Sequence, residues 1–166
     1  VIVGGGPSGL LLGQLLARSG VDAVLLERHT QEDLLGRIRA GVLEQVTADL
    51  LDEVGVSERM HAEGLVHHGF ELLYGGGRHR VDLSRHTGGK HVIVYGQTEV
   101  TRDLMQARSA AGLRTFYEAR NVAVHGFDTN TPHVTFEQDG VAHRIDADFI
   151  AGCDGFHGVC RASVPR

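Results

Sequence analysis

The sequence predicts an α/β fold built on a parallel sheet and interrupted by an antiparallel β segment, on three observations. Residues 1–27 run strand, glycine turn, helix, strand, an order that requires a parallel pair joined by a right-handed crossover. The turn reads GGGPSG, which spaces Gly4, Gly6 and Gly9 as G-x-G-x-x-G. Residues 66–95 abandon helical spacing for alternation, broken by glycines at 75–77 and 88–89.

Taken in order, Val1–Val3 forms a short buried strand, and a helix follows from about Pro7 to Arg18. Leu11, Leu12, Leu15 and Leu16 are its apolar residues and Gly20 its stop. AVLLE, 23–27, is the second buried strand, and RHTQEDLLGRIRAG, 28–41, an irregular connection. Leu43, Val46, Leu50 and Val54 then keep helical spacing up to Gly55, which predicts a second helix from about Val42. FELLY and RHRVDL alternate around GGG, with Val81 and Leu83 on one face, and HVIVY is a further strand. Thr98 is the candidate N-cap of a helix to about Ala111, with Val100, Leu104 and Ala107 on its apolar face. Short strands follow in TFYEA, NVAVHGF, HVTFEQ and VAHRIDADFIAG, with Asp139-Gly140 as a hairpin turn and GCDG after the last apolar strand. Three prolines and no long Ser/Gly stretch predict no internal domain boundary.

Sixteen basic residues against twenty-one acidic, a net charge of -5, argue against a nucleic-acid partner and for a small one. Apolar runs fall far short of the roughly twenty residues that span a bilayer, and no signal peptide is evident. Two cysteines, Cys153 and Cys160, lack zinc spacing, and together these features predict a reducing, cytoplasmic setting and no metal site.

The glycine turn carries the first chemistry. Its glycines permit close backbone approach to a ligand, while the helix start offers unpaired N–H groups to a pyrophosphate. Ser8 can add its hydroxyl or backbone N–H. Glu27 ends the next strand, 23 residues after Gly4, where a carboxylate accepts from a ribose hydroxyl. An acid there suits FAD or NAD and repels a 2′-phosphate. Between the glycines of GRIRAG stand Arg37 and Arg39, which share one face if the segment is extended and then form a cationic pair beside the loop. The competing reading pairs Arg37 with Glu32 or Asp33 and leaves Arg39 a solvated cation.

With GGGPSG, LLERHT, GRIRAGVLEQ, YGQTEVTRDL and AGCDGFHG on one chain, the sequence resembles the flavoprotein aromatic hydroxylases along nearly its whole length. The resemblance implies a Rossmann-like FAD-binding α/β fold, incomplete at the C-terminus. Residues 1–166 would be the N-terminal part of that domain, and 66–95 the start of a substrate-facing sheet. It implies Gly4, Gly6, Ser8 and Gly9 at the FAD pyrophosphate and Glu27 at the adenosine ribose. Arg39, with Ile38, Ala40, Gly41 and Val42, would lie along the FAD phosphates and ribityl chain, and Gln97 would touch FAD. Asp154 and Gly155 would serve FAD and the nicotinamide cofactor alike, while Arg28, Arg37 and His157 would receive NADPH. From chemistry alone, Gln97 serves equally as a turn-stabilising amide and Asp154 as a structural turn residue. The chain departs from the family pattern at Asp33, where NADPH-preferring members have a tyrosine, and at His29, where a glutamine is usual. An acid near an incoming 2′-phosphate makes NADH acceptance or mixed specificity the expectation.

The reaction implied for the full-length protein is hydroxylation of 4-hydroxybenzoate to 3,4-dihydroxybenzoate with NADPH or NADH and O2, in a homodimer. The family's later GD motif and its substrate-holding residues are not in these 166 residues, and no residue here is assigned as catalytic. A related phenol hydroxylase, a reductase or oxidase of the same fold, and an inactive truncated dinucleotide-binding module are the alternatives.

Overall fold

The structure, a computed structural model, describes residues 1–165. It divides into two compact units, one made of Val1–Arg37 with the chain from Thr101 onward, the other of Ile38–Val100. Neither boundary falls in a linker-like stretch, which is why composition did not reveal the division.

The first unit opens with β1 (Ile2–Val3), α1 (Pro7–Arg18), β2 (Leu25–Leu26) and α2 (Gln31–Leu35). Pro7 is at the first helical position, where its missing N–H costs nothing, and Ser19 with Gly20 at φ +73° closes the helix. The residues α1 buries are Gly9, Leu10, Gly13 and Gln14, whereas its apolar residues Leu11, Leu12, Leu15 and Leu16 are only half-buried. Small residues let the helix approach its neighbours closely, so the largest side chains do not mark its inner face. α2 lies inside the segment expected to be irregular. Thr30 caps it, its Oγ1 accepting from the Asp33 N–H at 3.1 Å.

The second unit contains β3 (Val42–Glu44), α3 (Gln45–Glu53), α4 (Glu58–Glu63), β4 (Leu65–His67), β5 (Gly69–Tyr74), β6 (Gly77–Asp82), α5 (Leu83–His86) and β7 (Val92–Val94). The helix expected from Val42 starts at Gln45, because Val42–Glu44 pairs antiparallel with β7, and β4 joins β7 on its other side. β5 and β6 form a separate hairpin whose turn glycines, Gly75 and Gly76, take φ +59° and +77°. Leu83 does not extend β6 as alternation suggested. Asp82 accepts from the Arg85 N–H at 3.0 Å and starts α5 there. Ala48, Leu51, Met60, Ile93 and Tyr95 are buried in this unit.

α6 runs from Gln97 to Ala110, so Thr98 lies within it and is not its cap. The first unit resumes with β8 (Thr115–Phe116), β9 (Arg120–His125), β10 (His133–Gln138), β11 (Val141–Asp146), β12 (Ala151–Gly152) and α7 (Val159–Ser163). Its main sheet, β12-β1-β2-β8, is parallel throughout, as expected from the strand–helix–strand opening. An antiparallel sheet, β11-β10-β9, adds Val134 and Phe136 to a buried cluster with Val3, Val24, Leu26 and Ala119. Arg108 of α6 is 2% exposed and donates to the Ala23 and Arg114 carbonyls and to Thr115 Oγ1. Among the described residues no helix is long and apolar enough to cross a membrane, and no three potential metal ligands cluster.

Candidate functional site

The parallel strands end at the glycine loop. The Gly4 N–H donates to the Leu26 carbonyl at 2.8 Å and the Cys153 N–H to that of Val3 at 2.7 Å, so residues 3–4, 26–27 and 153–154 converge at the carboxyl end of the sheet. A Cβ at Gly4 would stand 2.4 Å from the Cys153 carbonyl oxygen, and one at Gly9 2.0 Å from the Gly4 oxygen. Both glycines are required by the closeness of loop, strand and helix. Gly6 differs, since a Cβ there would meet nothing within 4 Å. As N-cap of α1, Gly6 brings no side-chain acceptor to the first-turn N–H groups, and no acid stands in that turn. The helix start is therefore suited to an external anion.

Glu27 is 7% exposed. Its Oε2 accepts from the Gly5 N–H at 2.7 Å and its Oε1 from the His29 N–H at 2.9 Å, with His29 Nδ1 at 3.5 Å from Oε1. The buried charge is thus satisfied by backbone, as burial demands, and it also ties the glycine loop to the end of β2. Each carboxylate oxygen keeps acceptor capacity for a ligand hydroxyl. A cleft of about 710 Å³ opens here, lined by Gly4, Gly6, Glu27, Arg28, Arg37, Asp154, Gly155 and His157 among others. Its size is within the range of small-molecule sites, and it lies outside the carboxyl ends of parallel strands. Ser8 is exposed and lines a neighbouring cavity of about 680 Å³, which shares Asp154 and Gly155 with the cleft.

Asp154 has a local structural duty. Its Oδ2 accepts from the Cys160 N–H at 3.0 Å at the start of α7, and Gly158 packs so tightly that a Cβ would fall 2.0 Å from the Asp154 Cγ. Gly155, at φ +79°, turns the chain between them. The turn carries Phe156 and His157, whose rings meet edge-on at 5.1 Å, and Arg161 lies 4.3 Å from the Phe156 ring centroid. Burial first, then the Asp154 charge, pushes the Cys160 thiol up to about 12.

The other residues singled out belong to the second unit. Ile38, 95% exposed, Arg39 and Ala40 are exposed and outside regular structure. The Gly41 carbonyl accepts from the Tyr95 N–H at 2.9 Å, and a Cβ on Gly41 would stand 2.3 Å from the Tyr95 oxygen. Val42 pairs with Val94, and Gln97 heads α6. GRIRAGV and YGQ, far apart in sequence, thus meet through β3 and β7. Arg37 lines the first unit's cleft, whereas Arg39, two residues on in the same exposed irregular segment, falls in the second unit.

Sequence reasoning passed over Gly5, the donor to Glu27, and Ala119, Arg120, Asn121 and Val122, which line the same cleft. Gly5 sat inside the motif as an unassigned position. Residues 119–122 follow β8, and only the parallel β2–β8 pairing brings them beside Glu27. The glycine cradle, the uncapped helix start and the buried carboxylate fit the adenosine-diphosphate end of a dinucleotide.

Comparison with known proteins agrees with this geometry. The chain matches the FAD binding domain family over residues 1–166. It is 56% identical over 165 residues to p-hydroxybenzoate hydroxylase of Acinetobacter baylyi, covering 99% of this chain and 41% of that protein. A probable NADH-specific resorcinol 4-hydroxylase of Rhodococcus jostii is 27% identical over 167 residues, covering 96% of this chain and 31% of the relative. The fold superposes on p-nitrophenol 4-monooxygenase from Pseudomonas putida with a TM-score of 0.79 at 20% identity, over 96% of this chain and 41% of that one. The chain spans less than half the length of each.

Proposed function

The chain belongs to the FAD binding domain family, and from that premise we propose that it is part of a flavin-dependent aromatic monooxygenase. The reaction proposed for the whole protein is hydroxylation of 4-hydroxybenzoate to 3,4-dihydroxybenzoate with NADPH or NADH and O2. The observation that carries the flavin reading is the buried Glu27 carboxylate clasping the glycine loop where the parallel strands end. The substrate reading is supported by the high identity to p-hydroxybenzoate hydroxylase along almost all of the chain.

In this reading the α1 N-terminus and Gly4, Gly6 and Gly9 hold the diphosphate, and Glu27 accepts from the adenosine ribose. Ser8 presents its hydroxyl near the same helix start. Arg28, Arg37 and His157 make a hydrogen-bonding rim for the phosphates of the reduced nicotinamide cofactor. Asp154 and Gly155 hold the turn that presents His157, and Arg39, Ile38, Ala40, Gly41, Val42 and Gln97 are further flavin residues. Bound flavin supplies the hydride acceptance and oxygen activation that amino-acid side chains lack.

The test is made on the protein expressed from its complete reading frame. It is expected to purify with a flavin absorbance spectrum, to oxidise NADPH or NADH faster when 4-hydroxybenzoate is present, and to release 3,4-dihydroxybenzoate. A colourless protein unable to take up FAD overturns the flavin reading. Stimulation by a different phenol, with 4-hydroxybenzoate inert, selects a related phenol hydroxylase, a reading favoured by the resorcinol-hydroxylase relative.

A further inference from the structure

Glu27 stands between two walls of its cleft. Its carboxylate reaches the glycine loop through the Gly5 N–H, whereas its backbone reaches residues 116–119: the Glu27 N–H donates to the Phe116 carbonyl at 2.8 Å and the Ala119 N–H to the Glu27 carbonyl at 2.9 Å. The Glu118 N–H likewise donates to the His29 carbonyl at 3.3 Å. A dinucleotide with its diphosphate at the loop and its ribose at Glu27 therefore has its base directed to the second wall. This step rests on the FAD reading given above.

That wall has an unusual backbone. Glu118 and Asn121, neither of them glycine, take φ +56° and +51° on either side of Ala119 and Arg120. The register of β9 against β10 shifts between Thr135 and Glu137, leaving Glu137 opposite Arg120, and Asn121 Nδ2 donates to Glu137 Oε2 at 2.8 Å. Such irregularities re-aim a side chain, and they collect at ligand clamps. Ala119 and Arg120 both line the cleft, but Ala119 is fully buried while Arg120 is exposed. The Arg120 guanidinium has one long contact, Nη2 to Glu118 Oε1 at 3.4 Å, between side chains 72% and 48% exposed. An exposed pair of that length leaves it available for a ligand. No Phe, Tyr or Trp is among the described residues that line this cleft; its rings are the imidazoles of His29, set against the Glu27 carboxylate, and His157, set edge-on to Phe156. A guanidinium is planar, weakly hydrated and stacks on π-faces.

We propose that Arg120, presented by the irregular start of β9, is a binding residue of this cleft that stacks on the adenine ring of the dinucleotide. Its contribution is to affinity at the adenosine end, separate from the phosphate-facing role of Arg28 and Arg37. The experiment uses apoprotein prepared from the complete reading frame, with FAD dissociation constants measured from flavin fluorescence for wild type, Arg120→Ala and Arg120→Lys. Arg120→Ala is expected to weaken FAD binding roughly tenfold, with the melting temperature of the apoprotein and the KM for NADPH and NADH at saturating FAD unchanged. Arg120→Lys keeps the charge but loses the plane, and is expected to remain as weak as the alanine variant. Wild-type FAD affinity in Arg120→Ala, or full recovery in Arg120→Lys, overturns the stacking role while leaving the FAD reading intact. Failure of wild-type apoprotein to bind FAD overturns both.

Discussion

Cys160 shows how one residue's chemistry is set by its neighbours. Its thiol is held against Gly152, where a Cβ would fall 2.6 Å from the Cys160 Cβ, and its N–H is held by Asp154. Burial and the adjacent carboxylate both disfavour the thiolate, so the group stays protonated to about pH 12 against an ordinary value of 9.0. We expect Cys160 to resist iodoacetamide in the native protein at pH 8.5 and to react only after denaturation, as peptide mass mapping would reveal; rapid native alkylation would contradict the packing. The linkage sign follows from the raised value. Any stability the thiol contributes is complete below pH 9.0 and declines as pH rises toward about 12, because the unfolded chain loses the proton first. Asp154, read from sequence as a cofactor residue or a turn residue, has the turn function directly visible in its bond to Cys160. The motif located the residue. Its acceptor role depends on a helix that starts five residues later and that the D-G pair does not encode.

At the scale of the element, α1 rests on two glycines where helix propensity would favour alanine. A Cβ at Gly13 would stand 2.7 Å from Arg108 Nη1, and Arg108 cannot swing aside, since its other nitrogens are bound to Ala23, Arg114 and Thr115. Alanine gains about 1 kcal/mol of intrinsic helix preference over glycine. Overpacking a buried site costs about 1–3 kcal/mol, and the buried guanidinium would also lose hydrogen-bond geometry. Gly13→Ala should therefore lower stability despite the better helix former, measured as a fall in the denaturation midpoint with an unchanged m-value. The extent of α1 was legible from Pro7 and Gly20, because caps are local; its buried face was not, because that is chosen by what packs beneath it. β3 makes the same point from the other side. Leu43, Val46, Leu50 and Val54 have helical spacing, yet Val42–Glu44 is taken as a strand by pairing with β7, some fifty residues away.

For the molecule as a whole, the balance of charge around the cleft bears on the choice of reducing cofactor. Arg28, Arg37 and His157 line the cleft together with the acids Glu27 and Asp154, while Asp33 adds an exposed carboxylate in the first turn of α2. A 2′-phosphate approaching α2 meets that charge, and NADH does not. The full-length protein is expected to show a smaller ratio of kcat/KM for NADPH over NADH than a family member with tyrosine at this position, and Asp33→Tyr to raise the ratio. An equally strong NADPH preference in the wild type would refute the charge argument.

The sequence by itself determined the local and the periodic: the glycine loop, the acid at the end of β2, the parallel opening, the hairpin at Asp139-Gly140 and the antiparallel character of residues 66–95. Each depends on residues close together, whose backbone preferences and alternation leave a readable trace. Only the tertiary structure decided that Gly5 clasps Glu27, that Arg37 and Arg39 belong to different units, and that Arg120 shares a cleft with Glu27. Those relations arise from strand pairing and close packing between distant segments, and side-chain chemistry read in order along a chain carries no record of which segments will meet.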